Sequence, residues 1–148
     1  MNRIYLLDTN IISEFLKTSP DMKVLSKVEE ERQRCAISST TWNELLYGLQ
    51  TLPDGKRKDM IFSFYIDTVQ AIFPIIEYDS HCAWIHSDLR SQLRKKGIQK
   101  SFQDTQIAAT AISKQMVLVT RNISDFEPMQ KISSSLIIEN WFFRAGTH

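Results

Sequence analysis

Four acidic residues stand at places where a chain of alternating strands and helices can do chemistry. Asp8 closes the apolar run Ile4–Leu7. Glu44 falls in the first turn of a helix that follows the short run Cys35–Ser38. Asp104 falls in the first turn of a helix over Ser101–Gln115. Asp125 falls in the loop after Val117–Val119. Carboxylates gathered in one place repel, and burial raises their pKa values. A divalent cation removes the conflict. An all-oxygen donor set selects Mg²⁺ or Mn²⁺, with waters completing the octahedron. Such an ion binds a phosphate oxygen, activates a water and stabilises the leaving oxygen, which is the chemistry of phosphodiester hydrolysis.

Each acid alone also has an ordinary structural reading. Asp8 suits the cap of a helix starting at Asn10. Thr41-Trp42-Asn43-Glu44 has the spacing of a capping box, and Ser101-Phe102-Gln103-Asp104 repeats it with a shorter acid. Asp125 suits a loop or cap position. Three local details favour a site over four separate caps. Thr9 and Asn10 follow Asp8 directly and can hold its carboxylate by hydrogen bonds. Asp104 precedes the small-residue face of Ile107–Ala111, which lets its helix approach a sheet closely. Thr120 and Asn122 stand together at another strand end, where they can position water or phosphate.

Alternating periodicity supplies the elements that would carry these groups. Strands are expected at Ile4–Leu7, Cys35–Ser38, Val117–Val119 and Leu136–Ile138, with an extended stretch at Ile72–Ile76 around Pro74. Helices are expected at Asn10–Leu16, Met22–Arg34, Thr41–Leu52, Lys56–Ala71, Asp79–Lys96 and Ser101–Gln115, the fifth stopped by Gly97. The expected fold is α/β, a mostly parallel sheet of four to five short strands flanked by helices. In such sheets functional groups collect beyond the carboxyl ends of the strands. Residues 1–142 are read as one domain and Phe143–His148 as a flexible tail.

Composition sets outer bounds. The 148 residues carry 18 Lys+Arg and 17 Asp+Glu, a formal charge of +1, which excludes a polybasic nucleic-acid coat but not a local basic patch. Cys35 and Cys82 form no CxxC pair, so two reduced thiols and a cytoplasmic location are expected. No apolar stretch approaches the roughly 20 residues of a membrane helix.

Four segments carry a family resemblance: Leu7–Glu14, Ser38–Gly48, Asp104–Ala111 and Val119–Phe126. Together, in this order, they resemble the PIN-domain family, and within it the VapC/FitB-like toxins of bacterial toxin–antitoxin pairs. The turn Leu52–Arg57 is similar to that subgroup as well. The resemblance implies a PIN-like fold and a Mg²⁺- or Mn²⁺-dependent endoribonuclease. Asp8, Glu44 and Asp104 match the family's acidic metal positions. Many members carry a fourth acid where this chain has Asn122, and here Asp125 is expected to serve in its place. The resemblance further implies a homodimer and a VapB-like antitoxin that inserts a basic side chain among the acids. Promoter DNA would be bound only through that antitoxin.

An acidic centre repels RNA, so cations must lie beside it. Arg90, Arg94, Lys95, Lys96 and Lys100 form a run free of acids, Lys56-Arg57-Lys58 forms a second, and Arg121 adjoins Asn122. These are phosphate-contact candidates, although cations at a helix carboxyl end are also favoured by the dipole alone. Met60 and Phe64, with Ile61 as a further candidate, are expected on one helix face. Trp42, Trp84 and Trp141 are expected in a core or an interface. His81 and His86 lack zinc spacing. Two other classes compete with the nuclease. One is a non-catalytic module whose acidic pocket docks a basic peptide, which metal titration would separate. The other is a phospho-acceptor receiver domain, which the single acid at the first strand end disfavours.

Overall fold

In the computed structural model residues 3–142 are described, and the tail expected at residues 143–148 lies outside them. Five strands, β1 (Tyr5–Leu7), β2 (Cys35–Ser38), β3 (Ile75–Ile76), β4 (Val117–Val119) and β5 (Ile137–Glu139), form one sheet in the order β3-β2-β1-β4-β5. Every neighbouring pair is parallel, with Leu6 opposite both Ala36 and Leu118. The expected parallel α/β architecture is thus observed. From β1 the chain builds outward on one side through β2 and β3, then returns to the other side with β4 and β5. The order reverses between β1 and β4, and a crevice opens beyond the carboxyl ends at such a reversal.

The helices divide between the two faces. Packed with one face are α1 (Thr9–Glu14), α2 (Met22–Glu30), α3 (Ser39–Gln50) and α4 (Lys56–Phe64). The last runs through a π turn at Tyr65–Val69 into the short α5 (Gln70–Ile72). The other face holds α6 (Ser80–Lys95), α7 (Phe102–Ser113) and α8 (Ile123–Ile132). Successive strand residues point to opposite faces. Leu7, Ile37 and Val119 therefore join the first layer, and Leu6, Ala36 and Leu118 the second. Ala108, Ala109 and Ala111 are fully buried, so α7 lies close against the sheet. No described helix is long and apolar enough to cross a membrane, and both cysteines are buried free thiols.

Several expectations are corrected. Asp125 lies in the first turn of α8, not in a loop; Pro128 inside that helix disguises it. Met60 points outward and Ile61 inward, because Ile61 and Tyr65, one turn apart, are the buried pair. Of the three tryptophans expected in a core or an interface, Trp141 is buried, Trp42 packs against the core, and Trp84, 74% exposed, keeps only the interface alternative.

Where α6 ends, Gly97 adopts φ +70°. The Ile98 amide donates to the Leu93 carbonyl at 2.9 Å and the Gly97 amide to Arg94 at 2.9 Å, the paired closure of a helix end around a left-handed residue. A Cβ at Gly97 would meet nothing within 4 Å, so its cost is backbone strain alone, about 1 kcal/mol. Gly97→Ala should lower the thermal midpoint by about 2–4 °C. An unchanged midpoint in a calorimetric scan would contradict this account of the turn that leads into α7.

Candidate active site

The centre of the site is built where β1 and β4 end side by side. The Asp8 amide continues the ladder to the Val119 carbonyl at 2.9 Å, which sets Asp8 next to Thr120. Asp8 is only 6% exposed. Its Oδ1 accepts the Thr9 amide at 2.8 Å, so the residue does cap α1. Its Oδ2 accepts the Thr120 hydroxyl at 2.8 Å and lies 3.4 Å from Asn10 Nδ2. Thr120 is a hub: its oxygen also accepts from the Asn122 amide at 3.1 Å and from Asn10 Nδ2 at 3.3 Å. The Asn10 side-chain oxygen Oδ1 in turn accepts the Arg121 amide at 3.1 Å.

The Thr9 hydroxyl does not reach Asp8. It donates to Glu44 Oε1 at 3.0 Å, and so ties α1 to α3. The cap of α3 is Ser38, whose hydroxyl accepts the Thr41 amide at 3.0 Å, so Glu44 is not the acid of a Thr41 capping box. Its carboxylate is instead free for the crevice. On α7 the cap is Ser101, which accepts the Asp104 amide at 3.0 Å. Asp104 and Glu44 are both partly buried.

Electrostatics joins these acids. Burial first, then repulsion from Asp104 and Glu44, pushes the Asp8 carboxyl up to about 6 against the pull of its Thr120 and Thr9 hydrogen bonds. Burial, with Asp104 repulsion adding, also raises Glu44, while the Thr9 hydroxyl opposes. Burial and then Asp125 raise Asp104, with Ser101 and Lys100 opposing. Asp125 sits at the margin, with its side chain 46% exposed and 3.9 Å from the Lys100 ammonium. Among the described residues no set of three or more His, Cys, Asp or Glu side chains is gathered tightly enough to hold an ion unaided. The donor set suits a hard cation that keeps several of its waters and takes one or two carboxylates directly.

The cations divide. Arg90, Arg94 and Lys100 line a groove of about 690 Å³ together with Gly97, Ile98 and Thr105. Lys100 joins this groove to the acids through Asp125. Lys95 and Lys96 are exposed but do not line it. The exposed Arg121 stacks over Phe142 at 5.0 Å. Lys56-Arg57-Lys58 opens α4, where Lys58 pairs with Asp54 at 3.4 Å. Lys100 as a partner of the acidic centre was not read from sequence; its place four residues before Asp104 was the available signal.

Comparison with known proteins follows the same outline. The PIN-domain profile matches residues 5–129. A ribonuclease VapC2 from Rickettsia felis is 33% identical over 143 residues, covering 93% of this chain and 98% of that protein. Toxin FitB from Neisseria gonorrhoeae is 30% identical over 124 residues, 82% of this chain and 89% of its own. The structure of VapBC2 from Rickettsia felis bound to a DNA fragment from their promoter superposes with a TM-score of 0.77 at 33% identity, covering 93% of this chain and 98% of that one.

The raised Asp8 carboxyl makes a stability prediction. Between pH 3.8 and about 6 the folded chain keeps a proton that the unfolded chain releases. Unfolding free energy therefore falls as pH rises through that window and stays at its lower value above it. With divalent ions chelated, Asp8→Asn should be more stable than the parent at about pH 7.5, by about 1–3 kcal/mol. The gain should vanish near pH 4. Denaturant melts across pH check this, and an Asn variant less stable than the parent at the higher pH would contradict it.

Proposed function

The chain belongs to the PIN-domain family, and from the architecture of its acidic crevice we propose that it is a Mg²⁺- or Mn²⁺-dependent endoribonuclease, the toxin of a toxin–antitoxin pair. The observation that carries this reading is the placement of Asp8, Glu44 and Asp104 at the reversal of strand order, each raised in pKa by burial and then by a neighbouring acid, Asp104 and Glu44 for Asp8, Asp104 for Glu44 and Asp125 for Asp104. Groups that merely cap helices do not require such mutual repulsion, whereas a cation relieves all of it at once.

Asp8, Glu44 and Asp104 would hold the ion, with Asp125 supporting them from the margin. Once bound, Mg²⁺ or Mn²⁺ supplies Lewis-acid stabilisation of charge at the scissile phosphodiester. The chain's own residues prepare for this. Thr120 and the Thr9 amide fix both oxygens of Asp8, Asn10 steadies Thr120, and the Thr9 hydroxyl aims Glu44. Arg90, Arg94 and Lys100 would take phosphates of the RNA strand beside the acids, with Arg121 at the β4 end and Lys95 and Lys96 adding long-range attraction.

The same charges suit a protein partner. A VapB-like antitoxin that offers an arginine would pair with these carboxylates bidentately and displace the metal. Promoter DNA would be reached through that partner. A homodimer would lengthen the surface available to RNA beyond what one small domain offers. The named relatives, a ribonuclease, a toxin and a VapBC assembly on DNA, support this reading.

Purified protein with Mn²⁺ should cut RNA, and Asp104→Asn should lower kcat/KM by at least about 100-fold, the upper end for residues that only orient metal ligands. Asp125→Asn should cost less than Asp104→Asn, because its side chain is half exposed and already paired with Lys100. Cleavage by Asp104→Asn at the parental rate would overturn the metal-site assignment. Thermal shift by Mn²⁺ in the parent, absent in Asp8→Asn, is the companion measurement.

A further inference from the structure

One buried titratable side chain has no part in the acidic crevice. His86, on α6, is 4% exposed. Both ring nitrogens are bonded: Nδ1 lies 2.8 Å from the Tyr78 hydroxyl and Nε2 lies 2.8 Å from Thr105 Oγ1. Thr105 directly follows Asp104 on α7. The Phe102 ring meets the imidazole edge-on at 4.6 Å, and Arg90 lies over that Phe102 ring at 4.8 Å.

Groups at both ends bias the hydrogen-bond polarity. The Thr105 hydroxyl has one proton and two main-chain carbonyls in reach, Phe102 at 2.9 Å and Ser101 at 3.1 Å. It therefore donates there and accepts from His86 Nε2–H. At the other end the Thr40 hydroxyl lies 3.4 Å from Gln106 Oε1, and the Gln106 side chain is in turn a hydrogen-bond partner of Tyr78. Tyr78 then donates to His86 Nδ1. Burial, and then the charge of Arg90, hold the imidazole below its ordinary pKa and so keep it neutral, as this chain of donors requires. The Tyr78 amide also donates to Ser39 Oγ at 3.1 Å.

The relay thus starts on α3, at Thr40 one turn before Glu44, passes through Gln106, Tyr78 and His86, and ends on the first turn of α7 beside Asp104. We infer that His86 is a positioning residue that locks the first turn of α7 against α6 and α3, and thereby fixes Asp104 relative to Glu44 in the crevice. The inference rests on the functional reading above. The first turn of α7 is largely exposed at Ser101, Phe102 and Gln103, and the Phe102 ring offers it only a half-exposed edge contact with His86, so polar ties weigh heavily there. The buried Thr105 is its anchor, and His86 is the donor that holds Thr105.

The test uses His86→Leu, His86→Gln and Thr105→Val in the full chain. The readouts are RNA cleavage with Mn²⁺ and Mn²⁺ affinity by calorimetry without RNA. His86→Leu should lower kcat and weaken Mn²⁺ binding by about 10–100-fold with little change in KM. His86→Gln, whose amide nitrogen can replace Nε2 as donor to Thr105, should recover most of both. Thr105→Val should reproduce the loss, and the double variant His86→Leu with Thr105→Val should be no worse than either alone. A folded His86→Leu or Thr105→Val with parental kcat and Mn²⁺ affinity would overturn the inference. So would equal losses in His86→Gln and His86→Leu. If His86→Leu does not fold, Thr105→Val and His86→Gln decide the matter. A parent that neither binds Mn²⁺ nor cuts RNA would remove the functional reading and this inference together, whereas an active parent with unaffected variants removes the inference alone.

Discussion

Burying a carboxylate among other carboxylates is costly, and this chain does so at the point where its strand order reverses. Asp8 is nearly inaccessible to water and faces repulsion from both Asp104 and Glu44. Two short hydrogen bonds, from Thr120 and the Thr9 amide, offset only part of that cost. The rest of the molecule can be understood as what tolerates and holds this arrangement. The two apolar layers, one under α1–α4 and one under α6–α8, supply the stability against which the strained centre is maintained. A protein without need of the cluster would gain stability by losing it, which is the usual mark of a site kept for function rather than for folding.

Precision at the crevice comes from polar ties between elements that the apolar layers alone leave adjustable. The strand ladder sets Asp8 beside Thr120, and Thr9 bridges α1 to α3. The Gly97 turn sends the chain from α6 into α7, and the Ser101 cap starts α7 so that Asp104 falls in its first turn. The relay through His86 then binds that turn to α6 and α3. The ladder, the Thr9 bridge and the His86 relay join elements distant in sequence, so a loss at one of them is expected to disturb the arrangement of the acids more than global stability. Lys100 adds a charge link, because it pairs with Asp125 while lining the cationic groove, and so places that groove beside the acids.

Much of this was legible before any coordinates. Asp8 at a strand end, Thr120 at its neighbour's end and the small-residue face of α7 are local signals. The parallel sheet followed from alternating periods. The parts that were not legible depend on three-dimensional contacts or on conflicting local cues. Helix α8 was hidden by Pro128 and by the polar Asn122–Asp125 start, so Asp125 was read as a loop residue. On α4 the apolar period offers both Met60 and Ile61, and packing selects Ile61. Glu44 looked like half of a capping box, yet Ser38 caps α3 and frees it. His86 gave no signal at all, because its partners lie 8 residues before it and 19 after it.

If the acidic crevice is the proposed cation site, proton and metal compete for it. The most direct measurement is calorimetric titration of Mn²⁺ into the protein in buffers of different ionisation enthalpy, at about pH 6 and about pH 8. With Asp8 titrating near 6, binding at the lower pH should release about half a proton, and at the higher pH almost none. Asp8→Asn should bind weakly and release fewer protons at the lower pH. Mn²⁺ binding with no proton release at the lower pH, or undiminished in Asp8→Asn, would contradict the claim.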